Sequence, residues 1–158
     1  MAPDTIEPQL VDSLRDAARE IFETMVFLTP SSIEPRQTNS TFFDADVVGL
    51  LSFTGTASGT VAVTASNKLA RLMAAKMLMM EPEELTEDAE VADAFGEIVN
   101  MLTGSFKNAW VANGNQMELS VPNVVMAGSV SINSQPNGSG VRVMVEGEPV
   151  DVGVHFDA

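Results

Sequence analysis

Displaced by 77 residues, this chain matches itself along two helical stretches, and that duplication restricts the fold more than any other feature. At inward positions Leu14 falls on Val91, Ile21 on Ile98 and Met25 on Leu102. At outward positions Asp16, Glu20 and Glu23 fall on Asp93, Glu97 and Asn100. β-patterned segments with a glycine-rich turn follow in both halves. A helix-then-strands unit repeated within 158 residues predicts one α+β domain with pseudo-twofold symmetry, its repeats spanning approximately 5–80 and 86–158. Two long helices are expected side by side on a continuous antiparallel sheet, with a shorter helix between the repeats.

The segments read as follows. Thr5–Leu28 places Leu10, Leu14, Ala17, Ile21, Met25 and Leu28 at helical spacing, and Pro30 closes the stretch. Strands are expected at Ile33–Thr41, Val47–Phe53 and Thr60–Ala65, with Gly55–Gly59 as a hairpin loop. Ser66 caps a helix to about Met80, whose methionines fit either a packed core or a binding groove. Asp88–Asn113 is the second long helix, with Thr86 as N-cap, Glu87, Asp88 and Glu90 near its positive end, and Gly114 as its stop. Beyond it lie strand patterns at Gln116–Val121, Val124–Asn133, Val141–Glu146 and Val150–Phe156. Ser134–Gly140 is the turn that answers Gly55–Gly59, and Val150–Phe156 reads as an edge strand open to pairing with a second copy.

Charge and composition remove several function classes. A net charge of −14 opposes nucleic acid and anionic membrane surfaces, both of which need clustered Lys and Arg. There is no cysteine, so thiolate chemistry and thiolate metal sites are excluded. The lone histidine, His155, cannot supply a histidine-rich metal site and reads as a strand-end residue. The start MAPDTIEPQL has neither a cationic nor an apolar leader region, so a cytoplasmic protein is expected.

The second long helix carries the functional signal. Val91, Phe95, Ile98, Leu102, Phe106 and Ala109 share one face; Asp93, Glu97, Asn100, Gly104 and Lys107 share the other. Gly96 and Gly104 each cost a helix interior about 1 kcal/mol against alanine. Two readings follow: a solvated face whose glycines serve internal packing, or a bare patch on which another surface docks. The repeat isolates one difference, D-x3-E-x2-E in the first copy against D-x3-E-x2-N in the second. An asparagine amide both donates and accepts hydrogen bonds, whereas an ionised glutamate only accepts.

That second motif, with GEIVNMLTG around it and Pro122 downstream, resembles the CheC/CheX family of chemotaxis phosphatases. Loss of the asparagine from the first copy makes the chain look like the single-site CheX branch. The resemblance implies hydrolysis of the aspartyl phosphate of a CheY-like receiver domain. Asn100 would position the attacking water and Glu97 would pair with a receiver lysine. Asp93, Gly96 and Gly104 would then belong to the partner-binding surface. No cofactor or metal is expected on this chain itself, because Mg²⁺ would reside on the receiver, and a homodimer is implied. A non-catalytic receiver-binding or flagellar-switch-type module of the same fold is the alternative, although it has no need to keep both Glu97 and Asn100.

Overall fold

The computed structural model describes residues 7–38, 40–135 and 138–157. Its elements are α1 (Glu7–Ile21), β1 (Ser32–Thr38), β2 (Phe42–Gly55), β3 (Gly59–Ala65), α2 (Asn67–Leu78) and α3 (Asp88–Ala112). They are followed by β4 (Met117–Leu119), β5 (Asn123–Ser131), β6 (Gly138–Val145) and β7 (Glu148–Phe156). All strand pairings are antiparallel and join into one sheet in the order β1-β6-β7-β3-β2, with β5 and β4 both on the outer side of β2.

The duplication is visible in this order. β3 and β7 pair at the centre, Val61 opposite Val154 and Val63 opposite Val152. On each side comes the hairpin partner, β2 or β6, and then a strand exchanged from the other half: β5 lies on β2, and β1 lies on β6. Exchange of the outer strands ties the halves into one core, so neither repeat can close its sheet alone.

Alternation along the strands sends one set of side chains under the helices. Ile33, Val61, Val63, Val141, Val143, Val152 and Val154 join Leu14, Ile21, Ile98 and Leu102 in a continuous apolar core. α1 and α3 pack against each other above it, and α2 packs on α3. Gly49 on β2 makes room where α3 lies on the sheet, since a Cβ there would lie 2.5 Å from Val99 Cγ2. A chain of tilted rings, Phe53, Phe106, Trp110 and Phe156, with centroids 5.8–6.5 Å apart, fastens the far end of α3 to the sheet.

Several expectations need correction. The Thr5 start of the first helix lies outside the described residues. Its end departs from the α-helical pattern, because Phe22–Val26 form a π-helical turn closed by Phe27 at φ 60°. The wider turn rotates the face, so that Phe22 and Val26 point inward while Met25, predicted to be buried, is exposed. Thr86 does not cap α3; Glu87 occupies that position and makes no side-chain cap hydrogen bond. The start of α3 is held instead by Arg71 of α2, which donates to the Leu85 carbonyl and lies 3.5 Å from Asp88.

Val150–Phe156 is not an edge. β7 is paired on both sides, with β6 and with β3. Nor does Ser134–Gly140 make a hairpin, since β5 and β6 are not neighbours; residues 136 and 137 of that turn lie outside the described ones. The true counterpart of Gly55–Gly59 is the two-residue turn Glu146–Gly147, both at positive φ (53° and 77°), the geometry a right-twisted hairpin favours. Other expectations hold. Ser66 caps α2, accepting from the Leu69 N–H at 3.1 Å. Met73 lies in the core and Met77 and Met80 pack against it, so three of the four methionines follow the packing reading, while Met79 is exposed.

Candidate functional site

α3 is amphipathic, and its apolar stripe fixes the direction of the other one. With Val91, Phe95, Ile98, Leu102 and Phe106 buried against sheet and α1, residues Asp93, Glu97 and Asn100 must face outward, and all three are exposed. Glu97 and Asn100 are three residues apart, adjacent on one helical face. Neither side chain has a hydrogen bond or ion pair within the described chain. Both are therefore free to engage a partner at no cost in internal contacts.

The two glycines behave differently. Gly104 has nothing within 4 Å of where a Cβ would stand, so it is a bare spot beside Asn100, one turn on. Gly96, expected as part of that patch, is buried; a Cβ there would meet Val124 Cγ2 at 3.5 Å and Pro122 Cγ at 3.9 Å. Both are ordinary contact distances, so the loop before β5 lies over this position without requiring a glycine there. Pro122 is thus a packing residue at the margin of the stripe. Lys107 is half-buried further along the same face.

The first copy is closed where the second is open. Under the same displacement, Gly96 corresponds to Arg19 and Gly104 to Phe27, whose side chains are both exposed. Arg19 lies 3.8 Å from Glu23, and Glu23 itself sits in the π-helical turn. Its register relative to Glu20 therefore differs from that of Asn100 relative to Glu97.

Sequence reasoning singled out Pro122 but not the rest of the loop Ser120–Pro122 beside this surface. Ser120 N–H donates to the Ser52 carbonyl at 2.8 Å, and Ser52 N–H donates to Ser120 Oγ at 2.9 Å. Val121 follows, 84 % exposed. No signal marked it, since a valine in a β-patterned run normally reads as buried.

A cleft of about 520 Å³ opens on the opposite face of the sheet, away from α3. It is lined by Arg36, Asp151 and His155 among others, and Arg36 and Arg142 both hold the Asp151 carboxylate. Burial, together with the like charge of Arg142, lowers the Arg36 pKa. Among the described residues no cluster of His, Asp or Glu could hold a metal ion. None of the described helices is long and apolar enough to cross a membrane.

Fold and stripe together define a duplicated α+β domain that presents an exposed Glu-x-x-Asn helix. The family described as chemotaxis phosphatase CheX matches residues 47–146, and the chain belongs to that family. Solved structures agree on the fold. A chemotaxis protein CheX from Desulfovibrio desulfuricans superposes with a TM-score of 0.82 at 19% identity, covering 94% of this chain and 99% of its own. The CheX of a CheX–CheY–BeF3–Mg complex from Borrelia burgdorferi gives 0.73 at 16% identity, covering 93% and 97%. Thermotoga maritima FliY gives 0.60 at 16% identity, covering 100% and 92%. No curated protein matches the chain in sequence.

Proposed function

We propose that this protein hydrolyses the aspartyl phosphate of a CheY-like receiver domain, using Glu97 and Asn100. The carrying observation is that these two side chains stand exposed and unpartnered on one face of α3, next to the bare backbone at Gly104. A Borrelia relative has been seen bound to CheY with BeF3 and Mg, which supports a receiver as the partner.

An acyl phosphate is already reactive, so what the enzyme must add is an oriented water and a fixed approach. The Asn100 carboxamide oxygen accepts a hydrogen bond from that water and turns it in line with phosphorus, while the amide N–H₂ remains free to donate. Glu97 forms an ion pair with a receiver lysine and sets the angle at which the helix enters. Gly104 leaves room for the receiver backbone, and Asp93 extends the contact. The Mg²⁺ that neutralises phosphoryl charge belongs to the receiver. The reaction places the protein in the cytoplasm with its receiver. The homodimer implied by family resemblance would use an outer strand, β1 or β5, because β7 is enclosed.

The test is phosphate release from phosphorylated CheY-type receiver domains with and without the protein. Acceleration proportional to protein concentration supports the reading. Tight binding without acceleration would leave the interaction-module reading in its place.

A further inference from the structure

We propose that Val121 is the apolar anchor of the receiver-docking surface, seated in the complex against an apolar patch beside the receiver's phosphorylation pocket. The inference rests on the receiver reading above and adds a residue that governs affinity and not chemistry.

Location comes first. Val121 directly precedes Pro122, which with Val124 covers Gly96, the neighbour of Glu97 and one turn before Asn100. The loop therefore forms a side wall of the same surface. Val121 is 84 % exposed even though its neighbours are fixed by the paired Ser52–Ser120 hydrogen bonds. Proline after it restricts its backbone further. A β-branched side chain on a pinned loop has little freedom left to lose on association.

Charge explains why such an anchor is needed. The chain carries −14, and the stripe contributes Asp93 and Glu97 against a single half-buried Lys107. On the receiver, Mg²⁺ offsets the phosphoryl charge. Long-range electrostatics therefore supplies little attraction, and the exposed Glu97 pair supplies only a small part of the affinity. Burial of apolar surface is the remaining source, and Val121 is the exposed apolar side chain on the wall beside the pair.

The test uses a CheY receiver loaded with beryllofluoride and Mg²⁺ for binding, and the phosphorylated receiver for turnover. Val121→Ser and the nearly isosteric Val121→Thr are compared with Met79→Asn. Met79 is 88 % exposed at the left-handed end of α2, a conformation that asparagine tolerates. Val121→Ser should raise Kd and KM about tenfold, the worth of most of a buried valine, with kcat unchanged. Val121→Thr should fall between, Met79→Asn should match wild type, and unfolding midpoints should not move. A Kd for Val121→Ser within about twofold of wild type overturns the anchor, as does an equal loss in Met79→Asn. Binding that depends on Val121 without any phosphatase activity keeps the anchor and removes the catalytic reading. A wild-type protein that binds no receiver removes both.

Discussion

Asn100→Ala separates chemistry from folding more cleanly than any other change in this protein. The side chain is exposed and makes no internal hydrogen bond, so its removal leaves no orphaned group and no cavity. It lies mid-way along a helix of 25 residues, where alanine is favoured over asparagine by roughly 0.5 kcal/mol. The variant should therefore be slightly more stable, its midpoint rising by about 1–2 °C for a domain of this size. Turnover should move the other way. Losing one group that orients the nucleophile in the transition state costs about 3 kcal/mol, roughly a hundredfold in kcat. The assay is single-turnover decay of phosphorylated receiver at saturating protein, with Kd measured on the beryllofluoride form and thermal unfolding followed alongside. Wild-type decay by Asn100→Ala would refute the water-positioning argument outright. A large fall in midpoint would show that Asn100 is structural.

Glu97→Ala should weaken the complex as well as turnover, and the loss should be greatest at low salt, since an exposed ion pair is screened within a Debye length of about 10 Å at 0.1 M; a titration series in salt reads this. Glu23→Asn should not create a second active site, alone or in an Asn100→Ala background, because Glu23 sits in the π-helical turn and Phe27 stands where the second copy has Gly104; restored phosphate release would contradict this. His155 is 0 % exposed, and burial lowers its pKa below 6.5, opposed only in part by the neighbouring Gln135 backbone. The folded state thus binds the proton less readily than the unfolded chain, so stability is intact above that value and declines as pH falls beneath it. The unfolding midpoint should drop between about pH 7.5 and pH 5.5 in wild type and stay nearly flat in His155→Gln.

The sequence by itself determined the duplicated helices, because a 3.6-residue period with one apolar face leaves little choice of which residues turn inward. Leu14, Ile21, Ile98 and Leu102 are buried and Asp93, Glu97 and Asn100 exposed, as that period requires. Caps and turns encoded locally were also legible, Ser66 and Gly114 among them. Whatever depends on contacts distant in the chain was not. Strand order is set by which half donates β1 and β5, and no local pattern tells an edge from the enclosed β7. The π-helical turn inserts a residue where packing of Phe22 and Val26 outweighs the regular hydrogen-bond ladder, which rotated Met25 out of the core. Gly96 and Gly104 look equivalent in the sequence, yet one lies beneath Pro122 and Val124 and the other is open. Only tertiary structure could decide that difference, because it depends on where a loop 26 residues downstream of Gly96 comes to rest.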